Sequence, residues 1–328
     1  MTAFLLPALA LLMGFVILPF SADRLISASA TFAKHCNLSL IFIGMTVVAF
    51  GTSVPELLVS AVAALNNAGE LAIGNGIGSN IINVGLVLSA AVLMAPMQAH
   101  KRFIKKEYPI LVASMLICIA LMSTGKLTML DGILLTVLLA IYCFYLAKSV
   151  RQGEISQDEL EFLPLTKKRA GWESLVMLLL LLTSSRLMVW GAVHLAQLAG
   201  LSELIIGLTI IAFGTSLPEL AAAIAGARRG MYDIVFATVI GSNIFNLLGV
   251  IAIPSLVGKE LIIPDQVFSR DIPYMIILTV VLGGMFAVPL LKPQSSSKEQ
   301  AAYNVHRLGG FLLLIIFIFY LTTVAYSV

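Results

Sequence analysis

Charge is what this sequence has least of. Asp, Glu, Lys and Arg make up 11% of its 328 residues, while 59% are hydrophobic. A soluble domain carries about 25% charged residues. So little charge excludes a soluble globular chain and points to an integral membrane protein. Cysteine is also scarce. Cys36, Cys118 and Cys143 stand far apart, with no metal-like or paired spacing. Histidine offers no metal set: His35, His100 and His306 fall near loops, and His194 stands alone near the end of an apolar run. A long polar segment is missing as well. The one of any size runs from Ala147 to Gly171, too short for a domain. The net charge of +3 rests on basic residues in short loops, so no nucleic-acid partner is expected, nor is any cofactor. The run from Met1 to Ala22 holds no Lys or Arg and leads to no small-residue cleavage site; it reads as a retained first helix, not a signal peptide.

Apolar runs are what the chain has in plenty. A crossing helix needs about 20 mainly apolar residues, and such spans fit at roughly 3–22, 40–65, 71–95, 107–124, 128–147, 173–197, 203–227, 233–256, 272–291 and 308–326. The expected fold is therefore an all-α polytopic membrane protein with ten transmembrane helices. Positive charge tests this topology. With both termini outside, the inner segments hold 16 Lys and Arg residues, from Arg24 to Arg307. The outer ones hold only Lys126, Lys259 and Arg270, and Arg186 lies within a span.

The chain also repeats itself. Gly44 to Glu56 (GMTVVAFGTSVPE) returns as Gly207 to Glu219 (GLTIIAFGTSLPE), with nine of 13 positions identical. The same displacement carries Gly78-Ser79-Asn80-Ile81-Ile82-Asn83 onto Gly241-Ser242-Asn243-Ile244-Phe245-Asn246. An unbroken register over about 40 residues marks an internal repeat. Residues 1–147 form the first five-helix half, with its repeat segment at about 43–86. Residues 148–171 form the linker, and 172–328 the second half, with its segment at about 206–249. Five helices per half force the second copy into the membrane upside down, an inverted-topology repeat of the kind found in secondary transporters. Weaker matches extend it: Arg24-Leu25 with Arg186-Leu187, which suggests a structural or snorkelling role for both arginines, and Glu107-x-Pro109 with Asp271-x-Pro273.

The repeated motif carries the chemistry. Pro55 and Pro218 lack an N–H and clash with the turn before them, which should free carbonyls around Ala49 to Thr52 and Ala212 to Thr215. Irregular backbone survives at membrane depth only against protein or a wet cavity. Hydroxyls from Thr52, Ser53, Thr215 and Ser216 and carboxylates from Glu56 and Glu219 complete an all-oxygen set suited to a hard cation. Ser79 and Asn83 share a helix face, as do Ser242 and Asn246, and Gly78 and Gly241 should admit a neighbouring helix closely. Serine, asparagine and glycine can simply join helices. A mid-membrane carboxylate cannot be explained that way: it costs about 2.5–3.5 kcal/mol and marks ion or proton pathways.

Both Gly-Thr-Ser-x-Pro-Glu copies and both Gly-Ser-Asn segments resemble the α-repeats of the calcium/cation antiporter superfamily, the sodium/calcium exchangers, in their prokaryotic form. The resemblance spans essentially the whole chain. It implies exchange of Ca²⁺ for several Na⁺ by alternating access. Glu56 and Glu219 would bind Ca²⁺ with the carbonyls of Thr52 and Thr215. The same carboxylates would bind Na⁺ with Ala49, Ser53, Ser79, Ala212, Ser216 and Ser242, and Asn83 and Asn246 would line the centre. The first and sixth helices would slide across a fixed core. Some archaeal and potassium-dependent relatives carry Asp where this chain has Asn246, which points away from potassium dependence. Other readings are a divalent-cation/H⁺ antiporter, potassium-dependent exchange and a gated cation channel. No enzyme is expected, since Ser53 and Ser216 lack a His or Lys partner. The implied partners are Na⁺, Ca²⁺ and the bilayer of a prokaryotic inner membrane, with a monomer sufficient for transport.

Overall fold

The computed structural model describes residues 2–66, 68–148, 162–200, 212–257, 261–287 and 302–326. In them the apolar runs are helices: α1 Thr2–Cys36, α2 Leu40–Leu65, α3 Gly69–Met94, α4 Tyr108–Met122, α5 Met129–Lys148, α6 Lys167–Leu198, α7 Leu217–Arg228, α8 Tyr232–Val257, α9 Val267–Ala287 and α10 Arg307–Tyr326. Eight of these are long and apolar enough to cross a membrane on their own. The other two are α4, lengthened at its start by a wide helical turn at Phe103–Glu107, and α7, preceded by the short helix Ala212–Thr215. Residues 201–211, where the seventh predicted span begins, lie outside the described residues.

Several boundaries differ from the sequence expectation. The first helix does not stop near residue 22 but continues to Cys36, and Arg24 within the added length pairs with Glu173. The sixth begins at Lys167, capped by the Thr166 hydroxyl accepting from the Arg169 N–H. Lys167 to Arg169 therefore belong to a helix and not to the linker, most of which (149–161) lies outside the described residues.

Four short strands, absent from the sequence reading, reveal the inversion. β1 (Met97–His100) follows α3 and β4 (Ala302–Val305) precedes α10; they pair antiparallel. β2 (Lys126–Leu127) follows α4 and β3 (Leu261–Ile262) follows α8, and these two also pair antiparallel. Each sheet thus joins the third-to-fourth connection of one half to the fourth-to-fifth connection of the other. Exchanging the halves exchanges the sheets, and helix parity puts them on opposite faces. That is the mark of an inverted repeat.

The halves interlock around α8. Its most apolar stretch is 100% buried, against 28% for α1 and 22% for α6. α8 packs on α2, α3, α4 and α7, while α1 and α6 lie together along one side and touch α7. The α1–α6 contact is tight: a Cβ on Gly191 would lie 2.5 Å from the Pro7 carbonyl oxygen and 2.8 Å from the Leu11 nitrogen. An Arg24–Glu173 ion pair also joins α1 to α6. Arg186, its match in the repeat, is exposed instead. Asp23, the carboxylate that α1 carries, is held by Arg229 of α7.

The weaker repeat match at the fourth helices does carry over. Glu107 and Asp271 each end a wide turn, Phe103–Glu107 and Val267–Asp271. Both are buried and ion-paired, Glu107 with Arg102 at 2.8 Å and Asp271 with Arg270 at 2.7 Å.

Candidate ion-binding site

Each motif helix breaks at its serine. Ser53 has φ −81°, ψ 0° and Ser216 has φ −89°, ψ 3°, so the two halves bend alike. A new helix starts immediately beyond, at Val54 and Leu217, with Pro55 and Pro218 in its first turn, where a missing N–H costs nothing. Glu56 and Glu219 fall in those same first turns. A carboxylate beside the N–H groups of a helix start is electrostatically favourable there.

The break is compact, and the carbonyls are less free than the prolines suggest. The Ala49 carbonyl accepts the Ser53 N–H at 3.0 Å and the Ser242 hydroxyl, from the other half, at 3.3 Å. The helix regains its hydrogen bonds directly after the bend, since the Ser53 and Ser216 carbonyls accept from Leu57 and Leu220.

The third helix of each half is distorted at the same point. Wide turns run over Asn83–Leu88 in α3 and Asn246–Val250 in α8, so both begin at the closing asparagine of the repeated motif. Such wide turns recur at functional sites because they redirect side chains from the regular helix face. Gly241 allows the crossing of α8 over α2: a Cβ there would lie 2.9 Å from the Ala49 Cβ and 3.3 Å from the Met45 Cα. Gly78 does not repeat this contact, for no described atom comes within 4 Å of its added Cβ. The segment that would mirror Met45, 207–211, lies outside the described residues.

The structure gathers the predicted side chains in one place. Thr52, Ser53, Glu56, Ser79, Asn83, Thr215, Ser216, Glu219, Ser242 and Asn246 are all buried, Glu56 and Glu219 at 1% exposure each. Ala49 is buried on α2, and Ala212 begins the short helix before α7. The carboxylates cross-connect the halves. Glu56 accepts from the Thr215 hydroxyl and lies close enough to Glu219 to feel its charge, while Glu219 faces Thr52. The single Thr52 hydroxyl proton, however, is directed to the Val48 and Ala49 carbonyls at 2.9 and 3.3 Å. Both Glu219 oxygens are left without a donor.

Twelve buried side-chain atoms among the described residues have no hydrogen-bond partner. Eight belong to this group: Ser53 Oγ, Glu56 Oε2, Asn83 Oδ1, Ser216 Oγ, both Glu219 oxygens and both amide atoms of Asn246. Buried polar atoms are otherwise bonded in more than about 90% of cases. Seven of these eight are oxygens, the donor type that a hard cation takes. Two further orphans, Asn80 Oδ1 and Asn243 Oδ1, occupy matching repeat positions that the sequence reading passed over. Their place in the repeated Gly-Ser-Asn was the available signal. Asn75 was also missed: its amide donates to the Glu56 carbonyl and the Ser60 hydroxyl, both at 3.0 Å, fixing the helix that carries Glu56.

The sequence profile of the sodium/calcium exchanger protein family matches residues 6–148 and 171–326. The chain belongs to that family. It is 34% identical over 333 residues to inner membrane protein YrbG of Escherichia coli, covering 98% of this chain and 99% of YrbG. It is 27% identical over 320 residues to the sodium/calcium exchanger MaX1 of Methanosarcina acetivorans, covering 84% and 89%. Its fold matches a structure of the sodium-calcium exchanger NCX_Mj, soaked with Na⁺ and Sr²⁺, with a TM-score of 0.82 at 30% identity over 97% of this chain and 98% of that one. In this family setting the ten helices form two inverted five-helix repeats in a multi-pass membrane protein.

Proposed function

We propose that this protein is a secondary active antiporter that exchanges Na⁺ for Ca²⁺ by alternating access. The observation that carries the proposal is the pair of buried carboxylates, one from each inverted repeat, with three of their four oxygens lacking a donor. Ca²⁺ would be held by Glu56 and Glu219 with the Thr52 and Thr215 carbonyls. Na⁺ would use the same carboxylates with Ala49, Ser53, Ser79, Ala212, Ser216 and Ser242, and Asn83 and Asn246 would line the centre. Two carboxylates neutralise one Ca²⁺, or two of several Na⁺ with the rest held by neutral oxygens. Left empty, both charges would sit uncompensated in a low-dielectric core at a cost of several kcal/mol each. That penalty bars the unloaded carrier from switching and makes exchange obligatory. The tightly joined α1–α6 pair would slide across the core built around α8, exposing the site to either side.

Sixteen basic residues against three support a cytoplasmic position for the β1–β4 face and both termini outside, and the similarity to inner membrane protein YrbG supports residence in a prokaryotic inner membrane. Asn at both 83 and 246 supports potassium independence. The experiment is Ca²⁺ uptake into Na⁺-loaded proteoliposomes with and without an outward Na⁺ gradient, alongside Glu56→Gln and Glu219→Gln. Uptake that requires the gradient and disappears in both variants supports the proposal. Uptake that ignores Na⁺ and follows a pH gradient would replace it with divalent-cation/H⁺ exchange.

A further inference from the structure

A cavity of about 890 Å³ lies between α1, α6 and α7, with neither carboxylate in its lining. Its walls include Phe15, Leu18 and Pro19 of α1, Met188 of α6, and Leu220 and Ile224 of α7. Phe15 is 68% exposed, so the cavity opens sideways, where a membrane protein meets hydrocarbon. At an apolar opening toward a bilayer the available filler is an acyl chain. One end differs in character: it is closed by Asp23, Arg228 and Arg229. Arg229 is held by Asp23 through Nε–Oδ1 and Nη2–Oδ2 contacts of 2.6 and 2.5 Å. Arg228 is exposed and has no ion-pair partner among the described residues. The mouth therefore carries a net positive charge at the end of α7, on the same face as Lys148 and Lys167.

We propose that this groove is a binding site for a phospholipid of net negative head group, its acyl chain lying along Phe15, Leu18 and Leu220 and its phosphate on Arg228. Guanidinium is the side chain best matched to a phosphate. A zwitterionic head group would set its own cation against the uncompensated arginine, which is why the site discriminates by head-group charge. The basic face also meets the leaflet surface that attracts arginine and lysine. The groove has α1 and α6 on one wall and α7, the helix of Glu219, on the other. A lipid there occupies the seam along which the two parts would slide, so its binding would set the exchange rate; this consequence alone rests on the proposed antiport.

The test is native mass spectrometry of the full chain, purified in mixed phosphatidylglycerol and phosphatidylcholine, with Arg228→Gln and Leu220→Trp. Wild type should retain one phosphatidylglycerol more than either variant. Arg228→Gln should lower phosphatidylglycerol retention about fivefold and leave phosphatidylcholine unchanged, whereas Leu220→Trp, which fills the groove, should reduce both. Arg228 is exposed, so its variant keeps the fold even if the tryptophan variant does not. Equal retention of the two lipids by wild type, or unaltered phosphatidylglycerol retention in Arg228→Gln, would overturn the proposal. Neither readout depends on ion transport.

Discussion

Replacing Glu219 with Gln keeps its shape and removes one charge. Both site carboxylates are 1% exposed, so neither is screened by water. In wild type, Ca²⁺ and two carboxylates sum to zero. In the variant the occupied site retains a net charge of +1 at membrane depth. Breaking a buried charge pair by removing one partner costs about 3–5 kcal/mol, and each 1.4 kcal/mol is a factor of ten in affinity. Ca²⁺ affinity should therefore fall by about two to almost four decades. The same change relieves the empty protein, which no longer holds a second uncompensated carboxylate. Calorimetric titration with Ca²⁺ measures the first effect, and thermal melting without ions measures the second. Glu219→Gln should lose Ca²⁺ binding and its ion-dependent rise in Tm, yet melt no lower than ion-free wild type. Glu56→Gln should behave alike. A loss of less than tenfold in either variant would show that the two carboxylates do not share one ion, and the charge argument would fail.

Other expectations concern packing and charge elsewhere. Gly241→Ala should destabilise by about 1–3 kcal/mol, because its Cβ would meet Ala49 and the Met45 backbone. Gly78→Ala should be neutral or stabilising, and paired melting curves compare the two. Arg102→Ala leaves the fully buried Glu107 without its ion pair, with the Tyr145 hydroxyl at 3.4 Å still donating to it, and should cost about 3–5 kcal/mol. Arg270→Ala should cost less, since the Arg270 side chain is 22% exposed. Burial, then the charges of Arg102 and Lys101, hold the His100 imidazole below its usual pKa. The folded state thus disfavours its protonation, and stability present above about pH 6.5 is lost as pH falls. His100→Gln should flatten that part of a Tm-against-pH curve. Replacing K⁺ with choline should leave Na⁺-driven Ca²⁺ uptake within about twofold, consistent with two carboxylates and two central asparagines.

The sequence made the site legible because the site is repeated. Thr52, Ser53 and Glu56 return as Thr215, Ser216 and Glu219, and a conspicuous carboxylate in an oily run needs no structure to be noticed. The same register would have found Asn80 and Asn243, had every repeated polar residue been weighed equally. Other features had no one-dimensional signal. The β1–β4 and β2–β3 pairs each join a segment of the first half to one of the second, and the strands are too short for an alternating pattern to register. Arg102 reads as one more basic loop residue until folding places it against Glu107. Pro55 predicts a disrupted turn with freed carbonyls around Ala49 to Thr52, but the degree to which Ser53 and Ser242 satisfy the Ala49 carbonyl depends on a helix from the other half. α1 runs past its apolar limit through Arg24, which pairs with Glu173 of α6, and α6 starts early, at Lys167, under the Thr166 cap.

The central claim is that two buried carboxylates prevent the empty carrier from switching. Vesicles loaded with Ca²⁺ and transferred to a bath free of both Na⁺ and Ca²⁺ test it most directly. No protein-dependent Ca²⁺ efflux should occur until Na⁺ or Ca²⁺ is added outside, and addition of either should start it. Steady efflux into the ion-free bath, abolished by Glu56→Gln, would show that the unloaded site crosses freely and would contradict the account.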